Sequence, residues 1–377
     1  MFSEPPQRDY NMRLGRLKAR FHGSMQTEFN DNINLVEHNP SSDVYFFPNL
    51  GIGLQFPINP RNTLQLDLGL GYRAYVNHPE LDALTITPDS RLIYQLRIAK
   101  VNILLRDNFN ISVDPLSRPD VNGTGGGLLN FRRISNDIGL QSEWQARHNL
   151  SVVTSYDYVI DRSLTDQFQA LDADNHNFAI GAFSNLGPSW NVGVNNAVTL
   201  TEFQQHVQND SMSYTVGPQV SVKVTRFITV DANVGYTQST FDQTGTVADR
   251  SDFAGISYGL AVRHNLNTHF SHSARVARSI SPGFGSNFND LTTAQYGLNW
   301  KAASFLNINS TLSYEHLASS GASGERAERY LWYVGTGWQP ARKWSVGLGY
   351  SFAWKDSDKP LRDYQQHRVT VDLTRSF

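Results

Sequence analysis

Hydrophobic and polar residues alternate along most of this chain, in runs that hold phase for about 11 to 15 residues before a turn interrupts them. From Leu17, one face carries Leu17, Ala19, Phe21, Met25 and Phe29, and the other Lys18, Arg20, His22, Gln26 and Glu28. This is a period of two, which places successive side chains on opposite faces of a strand and which a helix would scramble. From Leu64 the apolar set is Leu64, Leu66, Leu68, Leu70, Tyr72, Ala74 and Val76, against Thr63, Gln65, Asp67, Gly69, Gly71, Arg73 and Tyr75. The runs from Trp344 (Trp344, Val346, Leu348, Tyr350, Phe352, Trp354) and near Met212 (Met212, Tyr214, Val216, Val220, Val222, Val224) repeat the pattern. Followed through the chain, it predicts about eighteen strands, from 14–33 through 88–99, 101–113 and 132–146 to 364–377. Very short connections such as Ala99-Lys100 and Ala303-Ser304 alternate with longer polar ones, of which 114–131 is the longest.

This asymmetry is the pattern of an all-β transmembrane antiparallel up-and-down barrel with short periplasmic turns and longer extracellular loops. The expected organisation is a periplasmic N-terminal segment over 1–13 and a barrel over 14–377, with an even strand number leaving both ends in the periplasm. A soluble propeller or sandwich also alternates, but soluble strands average about 5 to 6 residues. Aromatic positions separate the two readings. Trp144, Trp190, Trp300, Trp338, Trp344, Phe56, Phe227, Phe270 and Phe305 border the short turns, whereas Tyr158, Tyr214, Tyr236, Tyr314 and Tyr330 lie towards the long loops. Two such girdles mark the two interfaces of a bilayer. The mean hydropathy of −0.40 is no objection, because only every second residue of a membrane strand has to be apolar.

The last run, His367 to Phe377, alternates Val369, Val371 and Leu373 and ends on Phe377. It resembles the terminal strand of bacterial outer-membrane proteins, which implies that Phe377 is an assembly signal read by the barrel-assembly machinery. Arg375 departs from that signature, which more often has an apolar or aromatic residue there. In size, strand count and lack of a plug, the chain resembles the putative β-barrel porin family often associated with exopolysaccharide gene clusters. The resemblance implies a pore in the bacterial outer membrane and names no cargo.

Composition trims the alternatives. There are no cysteines, which suits a chain that crosses an oxidising periplasm and excludes thiolate chemistry. A net charge of −2 leaves no footprint for nucleic acid. Met1 is followed by a polar stretch with Pro5 and Pro6 rather than an apolar leader, and is read as the start of a trimmed chain. No Ser, His and acid set stands out, so no enzyme activity, cofactor or metal is expected. His264, His269 and His272 read as interfacial or pore-lining groups, and Asp172, Asp174 and Asn175 as solvated loop residues lacking the rest of a calcium loop.

The inner wall then carries the chemistry. Lys18, Arg20, Arg73, Arg91, Arg97, Arg106, Arg133 and Arg368 lie opposite the apolar faces of the last strand and the first six, and form a candidate basic ladder. Asp67, Asp137 and Glu143 share that wall, with Glu28, Asp89 and Asp372. A barrel of about eighteen strands encloses an aqueous channel, so the leading expectation is passive diffusion of small hydrophilic solutes. An exopolysaccharide export conduit, with periplasmic export partners, is the alternative; a barrel enzyme or adhesion scaffold is a further one. Export would use inward aromatics, for which Tyr45, Phe47, Tyr75, Phe183 and Tyr333 are candidates. Segment 114–131 is expected to fold inwards as a constriction loop, with Asp114, Arg118 and Asp120 facing Arg73, Arg97, Arg106 and Arg133 and giving a mild anion bias. The outer surface should meet membrane lipid and lipopolysaccharide. Polar Asp107, Asn136, Asn196 and His272 on it mark either a homo-oligomer contact, a trimer, or interface depth.

Overall fold

The computed structural model describes residues 10–117 and 130–377. Its hydrogen-bonded segments join into a single sheet that closes on itself. The wall strands are β1 (Leu17–Asn30), β2 (Asp43–Asn59), β3 (Asn62–Tyr75), an interrupted β4 (Ala83–Ile86 and Arg91–Ile98), β5 (Val101–Ser112) and β6 (Arg133–Arg147). They continue as β7 (Leu150–Ser163), β8 (Ala173–Asn185), β9 (Trp190–Phe203), β10 (Ser211–Lys223), β11 (Ile228–Phe241) and β12 (Phe253–Asn265). The wall is completed by β13 (Phe270–Pro282), β14 (Phe288–Ala303), β15 (Leu306–Ser319), β16 (Arg326–Ala341), β17 (Trp344–Ser357) and β18 (Tyr364–Ser376). Each strand runs antiparallel to its neighbours. The expected closure is observed: β18 pairs with β1, Ser376 opposite His22 and Arg368 opposite Asn30. Closure leaves no edge of unpaired backbone groups, each of which would cost several kcal/mol in hydrocarbon.

Two details depart from the expected boundaries. Met12–Leu14 folds back on the start of β1, Leu14 opposite Leu17, so part of the segment expected to stand apart joins the sheet. In β4, residues Thr87 to Ser90 interrupt the ladder where Pro88 has no N–H to donate. Their backbone is met elsewhere: Thr87 N–H donates to the Gly69 carbonyl (3.0 Å), and the Ser90 hydroxyl accepts from Gly69 N–H (3.0 Å).

The two faces separate as the alternation requires. On β3, Gln65, Asp67, Gly69 and Gly71 are buried while Leu70 and Tyr72 are exposed. Exposed Leu50, Val194, Leu260, Leu312 and Leu348 belong to the outer belt, and exposed Trp144, Trp190, Trp300, Trp338 and Trp344 ring its short-turn end. Towards the long loops, Tyr314, Tyr330 and Trp354 stack across three strands. A belt of this size cannot face water, and lipid is the environment it fits.

Two buried apolar clusters fill the inside near the long-loop end. Leu35, Ala353 and Tyr364 form one buried cluster with Leu116 and Leu331 against it, and Phe131, Phe168 and Leu171 form another with Phe284. On the far side four successive long loops are tied by a buried polar knot. Asp249 accepts from the backbone N–H of Asn287 (2.8 Å) and Ser251 (2.9 Å) and from the Ser320 hydroxyl, and its carbonyl accepts from Asn209 (3.2 Å).

Candidate functional site

Lys18, Arg20, Asp67, Arg73, Arg91, Arg97, Arg106, Arg133, Asp137, Glu143 and Arg368 all fall on the face opposite the exposed apolar side chains. The structure pairs most of their charges. Arg91 binds Asp67 (3.3 Å), and Arg106 binds Asp157 (2.7 Å) with Asp137 at 3.4 Å. Arg133, 3% exposed, binds Asp161 (2.8 Å) and Asp172 (3.4 Å) and donates to the carbonyls of Phe168 and Leu171. The basic ladder is therefore a row of ion pairs along this wall, because half-buried guanidiniums need compensating charge. Lys18, Arg20 and Arg97 form no ion pair among the described residues, and they sit towards the short-turn end.

The sequence identified the basic half of these pairs and missed Asp157 and Asp161, which lie outside its acidic set although they share the inward phase. Asp172 and Asp174 were expected to be solvated. Asp172 is instead buried against Arg133 and accepts from Ser163 N–H (2.6 Å), while Asp174 binds Arg162 (2.7 Å).

The densest arrangement surrounds the start of the third long loop. Arg368 on β18 contacts Asp114 (3.1 Å) and lies 3.8 Å from Glu28 on β1. Beside them the Arg73 guanidinium rests over the Tyr45 ring (4.4 Å to its centre), and Tyr45 packs on Tyr75. Burial opposes ionisation of Asp114, but the Arg368 guanidinium outweighs it and holds the carboxyl below the usual aspartate range.

Two residues on, Arg329 of β16 donates to the Leu116 carbonyl (3.3 Å). Seven strand spacings, about 34 Å of wall, separate β5 from β16. Four residues beyond Ser112 reach about 14 Å, so the segment attains β16 and β18 only by cutting across the lumen. The inward course expected for this loop is thus present at its entry, residues 113–117. Arg118 and Asp120 lie outside the described residues. The partners differ in part from expectation: Asp114 faces Arg73, as expected, and also Arg368, whereas Arg106 and Arg133 are engaged by carboxylates of β6, β7 and the loop after β7, and Arg97 lies at the opposite end of its strand.

A second inward element escaped the sequence reading. In the first long loop, Leu35 is buried with Leu116, Ala353 and Tyr364, and Asn32 donates to the Gln365 carbonyl (2.8 Å) while Gln366 donates back to the Asn32 carbonyl (2.6 Å). The wall behind it holds Arg329 with Glu315 (2.7 Å), and Glu325 between Lys355 (2.8 Å) and Arg362 (2.6 Å). Inward phase in β15 to β17 was the available signal for Glu315, Arg329 and Lys355.

Three of the inward aromatics, Phe47, Phe183 and Tyr333, lie against glycines. A Cβ on Gly71 would stand 2.3 Å from the Phe47 ring, on Gly193 2.2 Å from Phe183, and on Gly335 2.3 Å from the Tyr333 hydroxyl. On the outside, the polar residues that suggested a protomer contact find partners within the chain: Asn136 with Asp107, Asn196 with Tyr214 (3.1 Å), and His272 with His264 (3.0 Å). Phe377 donates its backbone N–H to the Phe21 carbonyl across the closing seam (3.1 Å).

A closed eighteen-strand wall with a lipid-facing belt and a polar interior crossed by loop segments has the fold of an outer-membrane porin. Solved structures of that class match nearly the whole chain. OpdQ of Pseudomonas aeruginosa aligns over 97% of this chain and 100% of its own at TM-score 0.55 and 10% identity, and OccAB3 of Acinetobacter baumannii over 95% and 99% at 0.54 and 10%. OccK5 (OpdH) of Pseudomonas aeruginosa aligns over 95% and 98% at 0.52 and 11%. At this identity the likeness is one of fold. No protein-family model and no curated protein matches the sequence.

Proposed function

We propose that this protein is a passive outer-membrane channel for small hydrophilic solutes, with its short turns towards the periplasm. The observation that carries it is the crossing of the lumen by residues 113–117, anchored on Arg329 and Arg368, because a wide barrel becomes selective only when something inside narrows it. The gap among Asp114, the first loop and the wall encloses only about 40 Å³, so this entry is packed and forms part of the channel lining. The same crossing obstructs a polymer, which argues against the export conduit, and Phe47, Phe183 and Tyr333, on separate strands and against glycines, form no stacking track. No reaction is assigned to the wall; most of its charged groups are paired with one another.

Paired charges at the narrow part imply weak ion selectivity there, and Lys18, Arg20 and Arg97, which form no ion pair among the described residues, supply a mild anion bias from the periplasmic side. One structure of OpdK, from Pseudomonas aeruginosa, contains vanillate, a small carboxylate that this bias would also suit. Purified protein in planar bilayers should give discrete ohmic steps with a small preference for chloride over potassium. Arg368→Gln, which leaves Arg73 as the cation beside Asp114 and Glu28, should turn that preference towards potassium. An absence of steps, or a selectivity indifferent to Arg368, overturns the reading.

A further inference from the structure

We infer that the outer wall beside the closing seam carries a binding groove for one membrane glycerophospholipid, its phosphate on Arg375 and an acyl chain running up the groove. The inference rests on the orientation proposed above, with the short turns towards the periplasm.

Arg375 is the residue at which the last strand departs from the common terminal pattern, and the structure places it on the outer face. It is exposed, on the same phase as Val369, Val371 and Leu373, and forms no ion pair among the described residues. Its guanidinium is held between aromatic rings, 5.2 Å from Trp344 and 5.3 Å from Phe377. A cation fixed at a membrane interface without a carboxylate is ready for an anion, and the anion at that depth is a lipid phosphate.

The cross-strand neighbours of Arg375 supply the chain site. Arg375 stands opposite Trp344 on one side and Gly23 on the other; Gly23 stands opposite Leu50, and Leu50 opposite Leu70. Because barrel strands tilt, such a row climbs from the short-turn end into the bilayer, over about 19 Å in four strand spacings. Gly23 is the one outward position of β1 between Phe21 and Met25, and without a side chain it opens the floor of a groove of about 460 Å³. The groove is walled by Met25, Leu50, Leu70, Tyr72, Leu84 and Leu373. A single acyl chain leading from a phosphate matches a shallow apolar groove that begins at one cation. A second copy of the barrel would require a broader face, and the polar outer residues that could mark one are satisfied within the chain.

Gly23 also makes the test clean. A Cβ there would meet Leu50 at 3.5 Å, Phe377 at 3.6 Å and the Asn49 carbonyl oxygen at 3.9 Å, all ordinary van der Waals contacts, so a larger residue enters the groove without displacing backbone. The delipidated barrel should take up one phosphatidylglycerol per chain in native mass spectrometry, and diacylglycerol, which lacks the phosphate, far less. Arg375→Gln should weaken phosphatidylglycerol retention about fivefold, and Gly23→Leu should abolish it, with heat-modifiable migration unchanged in both. Retention unaffected by both substitutions, equal uptake of the two lipids, or a dimer in place of the lipid adduct overturns the proposal. Conductance of the same samples is read separately, so a failed channel reading would be seen without altering the lipid result.

Discussion

At the residue scale, the wall depends on where side chains are absent. Gly217 on β10 sits where the backbone of β11 comes closest: a Cβ would lie 1.8 Å from the Val234 carbonyl oxygen and 2.6 Å from the Gly235 Cα. The ladder is interrupted there without a change of register, between Val216 opposite Tyr236 and Gln219 opposite Asn233, with Pro218 in the gap. Gly337 on β16, in contrast, has nothing within 4 Å of the same construction. Gly217→Ala should therefore cost about 1 to 3 kcal/mol by overpacking, while Gly337→Ala stays near neutral. The check is the temperature at which each folded barrel converts to its slow-migrating denatured form, and equal temperatures would contradict the close approach.

At the element scale, the long loops hold one another as much as the wall holds them. Asp249 is the shared acceptor for backbone and side chains of the loops around 242–252, 283–287 and 320–325. Burial raises its pKa, but the N–H of Asn287 and the hydroxyl of Ser320 outweigh that and hold the carboxyl below the usual aspartate range. A carboxyl with a depressed folded value stabilises the protein above its unfolded pKa, and the contribution is lost as pH falls through the folded one. The knot should thus be intact at neutral pH and loosen only under strong acid. Asp249→Ala should reproduce the loosening at neutral pH, leaving a buried N–H unpaired at a cost of about 1 to 3 kcal/mol. Faster proteolytic nicking of these loops, with the wall strands still protected, is the expected result.

At the scale of the whole molecule, closure is the cooperative event. The seam between β18 and β1 runs from His22 opposite Ser376 to Asn30 opposite Arg368, and Phe377 extends it by its bond to Phe21. Removing Phe377 unmakes that last bond and exposes the Phe21 carbonyl near lipid, at several kcal/mol per unpaired group. The truncated chain should accumulate unfolded and lose heat-modifiable migration when expressed or refolded. Normal insertion would show that the seam tolerates a shorter end.

Much of this was legible in the chain, since alternation is a local property. A period of two sorts each side chain onto one of two faces without reference to any distant residue, and this is why β3 and β17, the aromatic girdles and the inward phase of Arg73, Arg106, Arg133 and Arg368 could be read directly. The interruption of β4 was less visible, because Pro88 marks a break without saying that Ala83–Ile86 rejoins the sheet. Tertiary structure alone decided which charges meet. Asp114 and Arg368 are 254 positions apart and join through a chord across the lumen; Leu35 with Tyr364, and Asp249 with Asn287 and Ser320, likewise depend on how the closed wall brings loops together. Phase assigns a residue to the inside, but only closure determines what stands across from it, and that turns a row of arginines into ion pairs and a glycine beside Arg375 into a groove.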